Sequence, residues 1–165
     1  MSERLVHPFP PLVDSESRVL ILGSFPSVKS REQQFFYGHP QNRFWRMLAA
    51  VCGEDTPATI EEKTALVLSH HFALWDSIGS CTITGSSDAS VRNVVPADIR
   101  LVLDHAPIQR ILCNGALSGR MYHRYLEPLT GMPALVMPST SPANASWSLQ
   151  RLIDCWRPAL LEDLR

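Results

Sequence analysis

The stretch Arg18-Val19-Leu20-Ile21-Leu22-Gly23 decides the fold class, because it is a continuous aliphatic run stopped by a glycine. A run of this length is typical of a strand buried on both faces, where no solvent side requires polar residues to alternate. Strands of that kind occur in parallel sheets covered by helices. The stretch therefore predicts the first core strand of an α/β protein.

Further strands and helices follow along the chain on the same reasoning. The predicted strands are 72–76, 109–115 and 134–138, the predicted helices are 42–52, 60–69, 96–105, 116–126 and 149–164, and the long loops are 79–90 and 139–146. Alternation at this spacing predicts a single three-layer α/β domain with a central, mostly parallel four-stranded sheet flanked by helices. At 165 residues the chain is short for two domains, so we expect one domain over 1–165 with an N-terminal arm at 1–17.

The composition argues against several classes of protein. The net charge is -1 and charged residues make up 19%, so any nucleic-acid contact has to rest on backbone amides and a local basic rim. Candidates for that rim are Lys29, Arg31, Arg43 and Arg92. No apolar run approaches the ~18 residues that span a bilayer, so we expect neither export nor membrane insertion.

The cysteines and glycines predict no cofactor and no metal. The four cysteines form no CxxC pair, and neither GxGxxG nor GxxxxGK[ST] occurs. Cys113 and Cys155 lie in apolar surroundings and are interpreted as small buried hydrophobes in a reduced, cytoplasmic protein.

Ligands of open α/β sheets bind beyond the carboxyl ends of the strands. That rule selects the segments 23–42, 76–92, 114–119 and 139–146, all of which are rich in small and polar residues. Small residues at 23–27 would let backbone amides approach a ligand closely. These four segments are the candidate site.

Three motifs in these segments resemble those of one enzyme superfamily. Gly23-Ser24-Phe25-Pro26-Ser27, followed by Tyr37-Gly38-His39-Pro40-Gln41-Asn42-Arg43-Phe44-Trp45, is similar to motif one and its sequel in the mismatch-specific uracil/thymine DNA glycosylases. Pro138-Ser139-Thr140-Ser141-Pro142-Ala143-Asn144-Ala145 resembles motif two, the loop that enters the minor groove. Ile111-Leu112-Cys113-Asn114-Gly115 is similar to the strand end whose asparagine contacts the flipped base. Within the uracil-DNA glycosylase superfamily, the resemblance is closest to the hypoxanthine-DNA (deoxyinosine) glycosylase branch.

The resemblance implies a monofunctional DNA glycosylase of base excision repair. Such an enzyme flips a deaminated base out of double-stranded DNA and hydrolyses its N-glycosidic bond, leaving an abasic site. The resemblance implies that hypoxanthine is the preferred base. We expect a monomer that binds DNA and no membrane. The alternatives are a uracil/thymine mismatch-specific glycosylase and a non-catalytic flavodoxin-like binding module; a serine hydrolase is disfavoured because GxSxG does not occur.

Departures from the motifs shift the implied roles. Phe25 stands where relatives carry the asparagine or aspartate that holds the attacking water, and the resemblance implies that Asn42 supplies the essential amide instead. Motif two begins with Ser139 rather than histidine or asparagine, and Ala143 stands where a wedge leucine is expected. Both departures argue against strong uracil activity.

The predicted base pocket comprises Gly23, Ser24, Phe25, Tyr37, His39 and Asn114, with Asn42 catalytic. The alternatives are structural: Asn42 as a helix N-cap, Tyr37 as a core aromatic instead of a stacking platform, and His39 as a brace of the turn around Pro40.

The predicted DNA-binding residues are short polar or small residues of two loops. They are Ser27, Ser139, Ser141, Pro142, Ala143 and Asn144. Short side chains and backbone amides of this kind bind phosphates without net positive charge, whereas the alternative is a merely solvated loop. Asp88, in the segment 86–90, is either a general base or a solvated carboxylate.

Overall fold

The structure is a computed structural model that describes residues 3–162. Its elements in chain order are β1 (Glu3–Val6), β2 (Val19–Gly23), α1 (Val28–Gln33), α2 (Phe44–Cys52), α3 (Ile60–Ser69), β3 (Phe72–Asp76), β4 (Ile78–Ile83), β5 (Arg92–Pro96), α4 (Arg100–Leu103), β6 (Arg110–Asn114), α5 (Ala116–Met121), α6 (Glu127–Thr130), β7 (Leu135–Met137) and α7 (Leu149–Leu161). A 3-10 turn spans Asp88–Ser90, and a π-helical turn, Tyr122–Leu126, joins α5 to α6.

The core is a four-stranded parallel sheet with the order β3-β2-β6-β7. All five residues of β2 are buried, as the aliphatic run predicts, and β2 pairs with β3 on one side and β6 on the other. Helices flank this sheet, which confirms the predicted α/β fold. Because the strands are parallel, the carboxyl ends of β2, β3 and β6 meet at one edge, where Gly23 lies opposite Asp76.

Helix α2 shows how local sequence positions the site. Phe44, Trp45, Leu48 and Val51 form the buried stripe of α2, as their spacing predicts. Gly53 ends the helix with a φ of 70°, the left-handed conformation that favours glycine at this position. The packing of α2 against α7 holds the segment before α2 at the edge of the sheet.

A second, antiparallel sheet with the order β1-β4-β5 corrects three sequence expectations. The predicted arm at 1–17 contains β1, the predicted loop at 79–90 contains most of β4, and the predicted helix at 96–105 is reduced to Arg100–Leu103. Register shifts between β4 and β5 break the alternation that would have indicated strands. β1 has no strand signal of its own because its partner lies far along the chain, as in the pairing of Leu5 with Cys81.

Two further observations concern the helices. The last helix ends at Leu161, so the predicted end at 164 falls outside the described residues. Within residues 3–162, no helix combines the length and the apolar character needed to cross a bilayer.

Candidate active site

A cleft of about 1280 Å³ opens at the carboxyl ends of the parallel strands. The sequence-predicted site residues all line it: Gly23, Ser24, Phe25, Ser27, Tyr37, His39, Asn42, Asn114, Ser139, Ser141, Pro142, Ala143 and Asn144. The fold thus brings together segments from opposite ends of the sequence. Their individual roles in binding and catalysis stay predictions.

A hydrogen-bonded relay connects the two predicted amides through Thr140, which sequence reasoning missed. The Asn114 side-chain NH2 donates to Thr140 Oγ1 at 3.0 Å, and the Thr140 hydroxyl donates to Asn42 Oδ1 at 2.8 Å. Thr140 is fully buried and Asn114 nearly so. The residue lies between Ser139 and Ser141 in the polar loop, and no local pattern distinguishes it from them.

Backbone N–H groups at both ends fix the direction of this relay. The Thr140 amide donates to Asn114 Oδ1 at 3.0 Å, and the Phe44 amide donates to Asn42 Oδ1 at 2.9 Å. A backbone amide can only donate, so each side-chain oxygen must face it and neither amide can be turned over.

The relay determines what Asn42 can offer to a ligand. Its Oδ1 accepts two hydrogen bonds, which use both lone pairs of the carbonyl oxygen. Its Nδ2 has no hydrogen-bond partner among residues 3–162 and belongs to a side chain that lines the cleft. Asn42 therefore presents a donor, held in place. Its oxygen also accepts from the amide of Phe44, the first residue of α2, although the N-cap of that helix is Arg43 and not Asn42 as the capping alternative has it.

Asn114 is less free than the sequence suggests. Its carbonyl oxygen and one hydrogen of its NH2 group are both engaged by Thr140. The remaining N–H hydrogen lies close enough to the Tyr37 hydroxyl to lower the pKa of that phenol, so Asn114 does not have a whole free amide with which to recognise a base.

Tyr37 packs against the core and also reaches the cleft. Its ring stacks on Phe44 with centroids 4.1 Å apart, while the side chain also lines the cleft. The hydroxyl is buried without a hydrogen-bond partner of normal geometry among residues 3–162. Burial raises the pKa of the phenol and the Asp76 carboxylate raises it further, outweighing the lowering by the Asn114 amide, so the hydroxyl stays protonated.

The polar side chains of the 139–144 segment largely fold the loop on itself. Ser139 Oγ accepts from the Ser141 amide and Ser141 Oγ accepts from the Ala143 amide, each at 3.1 Å. The Asn144 side chain donates to the Ser139 carbonyl at 3.0 Å. The two serine hydroxyl hydrogens have no acceptor within the described chain and remain available to an anion.

The side chain of Arg43 holds this loop in place through hydrogen bonds. Its guanidinium group donates to several backbone carbonyls of the loop, namely those of Thr140, Ser141, Asn144 and Trp147. Arg31 and Arg92 likewise bind backbone carbonyls, those of Pro26 and Ala89 among others. Much of the predicted basic rim thus supports loops.

His39 and Asp88 also line the cleft. The Nδ1 atom of His39 accepts from the Gln41 amide at 3.1 Å, which fits the predicted bracing of the turn. Asp88 lies on an exposed turn, where partial burial raises the pKa of its carboxyl and the nearby Arg120 lowers it. Because its carboxylate reaches solvent, its role as a general base stays a prediction.

A second buried polar pair was not expected from the sequence. Asp76, at the end of β3, lines the cleft beside Gly23, and its Oδ2 lies 2.6 Å from Nε2 of His7. The two side chains are 6% and 4% exposed. The pair forms because β1 and β4 of the second sheet bring the N-terminal segment beside the end of β3.

Comparison with known proteins gives consistent similarities over most of the chain. The profile of a family described as the Uracil DNA glycosylase superfamily matches residues 10–165. A protein of Methanosarcina acetivorans named hypoxanthine DNA glycosylase is 34% identical over 146 residues, covering 87% of this chain and 90% of that protein. A Methanosarcina barkeri protein of the same name is 31% identical over 82% of this chain and 86% of its own length.

A solved structure resembles the fold. It is the solution NMR structure of a Methanosarcina acetivorans protein, described as a candidate uracil DNA glycosylase. The match has a TM-score of 0.79 and 30% sequence identity, and covers 94% of this chain and 97% of the other.

Proposed function

The chain belongs to the uracil DNA glycosylase superfamily and is a DNA glycosylase, and from this premise we propose that hypoxanthine, the base of deoxyinosine, is the base it removes. The names of the two Methanosarcina relatives support hypoxanthine as the substrate. DNA is the macromolecular substrate, and the proposal adds that it is double-stranded and carries a deaminated base.

The observation that carries the proposal is the fixed donor of Asn42. Hydrolysis of an N-glycosidic bond leaves negative charge on the departing base, and a preorganised donor aimed at that charge lowers the barrier. Hypoxanthine offers a carbonyl oxygen and ring nitrogens that accept hydrogen bonds. The Asn42 NH2 group, held by Phe44 and Thr140, is suited to stabilise the base as it leaves.

The same geometry supports a leaving-group role for Asn42 in preference to a water-binding role. A water that attacks the sugar must lose a proton, so its holder has to accept a hydrogen bond. The Asn42 carbonyl is already saturated by two donors, and Phe25 has no polar atom in its side chain. We therefore propose that Asn42 acts on the base and that another acceptor in the cleft holds the water.

Three further groups complete the proposed site. The partly exposed Tyr37 ring offers a stacking surface, a contact worth ~1–3 kcal/mol per base. The free hydroxyl hydrogens of Ser139 and Ser141 are suited to backbone phosphates, since phosphate oxygens accept hydrogen bonds. Ser27 and Asn144 lie in the same cleft and extend this surface.

We also propose a cellular location and an oligomeric state for the enzyme. The four cysteines are free thiols, which fits a reducing compartment and supports a cytoplasmic location. We propose that the enzyme acts as a monomer on its DNA.

The test is base release from a panel of matched duplexes. Oligonucleotides carrying inosine, uracil, xanthine or a G/T mismatch at one position are incubated with the enzyme, and abasic sites are counted by alkaline strand cleavage. We expect inosine to be processed fastest and an undamaged duplex to remain intact. Faster release of uracil than of hypoxanthine would refute the proposed substrate and favour the uracil alternative.

A further inference from the structure

We propose that His7 and Asp76 select the base by its ring N–H group, with Asp76 Oδ1 as the acceptor and His7 as the residue that holds Oδ1 in that role. The inference rests on the proposed function and deepens it, because it names the group of the base that the pocket recognises.

The pair is rigid and shielded from water. The His7 ring packs against Phe9 and Trp75, with centroids 4.5 Å away in each case, and approaches Phe25 edge-on. Both partners of the 2.6 Å contact between His7 Nε2 and Asp76 Oδ2 are almost fully buried. A hydrogen bond that short between buried groups leaves the carboxyl little freedom to rotate.

The hydrogen positions in the pair follow from its partners. Nδ1 of His7 lies 2.9 Å from the carbonyl oxygen of Phe9, which can only accept, so Nδ1 carries a hydrogen. A single proton then lies between Nε2 and Oδ2, whether it is bonded to the nitrogen or to the oxygen. In both arrangements Asp76 Oδ1 carries no hydrogen, so it offers a lone pair only.

Oδ1 is the carboxyl atom available to a ligand. Within residues 3–162 no group donates a hydrogen bond to it, and Asp76 lines the cleft. Gly23 makes room for it, since a Cβ at that position would lie 2.3 Å from Oδ1. Because Oδ1 has no donor within the described chain and belongs to a carboxyl group that lines the cleft, we expect a ligand N–H group to supply that donor.

The chemistry of deamination supplies such a donor. Adenine has a lone pair at N1, whereas its deamination product hypoxanthine carries a hydrogen there beside a carbonyl group. A lone pair facing Oδ1 is repelled and leaves a buried polar group unpaired, while an N–H group satisfies it. His7 and Asp76 thus favour lactam bases and reject adenine, without contacting the bond that is cleaved.

The test compares two substrates in the same variant. Duplexes carry either deoxyinosine or the deoxynucleoside of unsubstituted purine, which lacks both O6 and the N1 hydrogen. Single-turnover rates give the ratio of hypoxanthine to purine release, a quantity that does not depend on the fraction of folded protein. We expect Asp76→Ala to lower this ratio by about 10-fold or more, the scale of losing a hydrogen bond to a charged group.

His7→Phe provides an independent second variant. It keeps an aromatic ring beside Phe9 and Trp75 but removes the hydrogen bond to Oδ2, so the carboxyl group can turn and Oδ1 is no longer held facing the base. We expect the ratio to fall in this variant as well. His70→Phe is the matched control, because His70 forms a histidine–carboxylate pair with Glu54 at the protein surface and should leave the ratio unchanged.

An unchanged ratio in a folded Asp76→Ala or His7→Phe protein would overturn the inference, whatever happens to the absolute rates. If Asp76→Ala does not fold, His7→Phe decides alone. Failure of the proposed function is a different outcome, since the wild-type protein would then release no hypoxanthine.

Discussion

Replacing Asn42 by aspartate removes the proposed catalytic donor while leaving its structural contacts intact. The carboxylate of the Asn42→Asp variant can still accept from the Phe44 amide and the Thr140 hydroxyl, which lie 2.9 and 2.8 Å from Oδ1 in the wild-type protein. It cannot donate when ionised, and its charge repels the departing base. We expect Asn42→Asp to slow hypoxanthine release by about 100-fold or more, the effect of losing one transition-state donor.

Asn42→Ala gives a different combination of effects. It removes the acceptor of the Phe44 amide, a hydrogen bond worth ~1 kcal/mol. It also takes away the acceptor of the buried Thr140 hydroxyl, which adds ~1–3 kcal/mol. At roughly 2–4 °C per kcal/mol for a chain of this size, we expect Tm to fall by several degrees in Asn42→Ala and less in Asn42→Asp.

The assay measures the rate of base release and the thermal stability of each variant on the same preparations. Single-turnover release from a deoxyinosine duplex is followed by alkaline cleavage, and Tm is measured by thermal unfolding. If the role of Asn42 is purely structural, Asn42→Asp should release hypoxanthine at the wild-type rate, whereas Asn42→Ala should have a lowered Tm. A folded Asn42→Asp protein with wild-type turnover would therefore refute a catalytic donor at this position.

Four further variants, at three positions, test other parts of the site. Thr140→Val keeps the shape of the residue but removes the hydroxyl of the relay, so single-turnover release should fall by about 10-fold, and an unchanged rate would argue against the relay. Arg43→Gln should weaken duplex binding, measured by fluorescence anisotropy, because it loosens the 139–147 loop, and the salt dependence of binding should change little. If the slope of the logarithm of the binding constant against the logarithm of the salt concentration fell by about 1, Arg43 would instead contact a phosphate directly. Tyr37→Phe should leave release and Tm nearly unchanged because the hydroxyl has no described partner, whereas Tyr37→Ala should lower release; equal damage from both would show that the hydroxyl matters.

The parallel sheet could be predicted because its signals are local. The aliphatic run of β2 and the apolar stripe of α2 are each contained in one short segment, so the burial of their side chains can be predicted from that segment alone. The position of the site could also be predicted, since ligands bind where parallel strands end. The second sheet could not, because β1 is only four residues long, too short to show an alternation, and β4 is irregular where it meets β5.

The sequence by itself identified many of the residues that line the cleft, and only the tertiary structure decided what each of them can do there. Asn42 and Asn114 were identifiable as amides, but the donor and acceptor directions depend on Thr140, which is 98 residues from Asn42. The pair of His7 and Asp76 spans 69 residues and rests on two separate sheets. The physical reason is that burial and strand order are encoded in short stretches of chain, whereas the hydrogen-bonding state of a polar group is set by whichever partner the completed fold places against it.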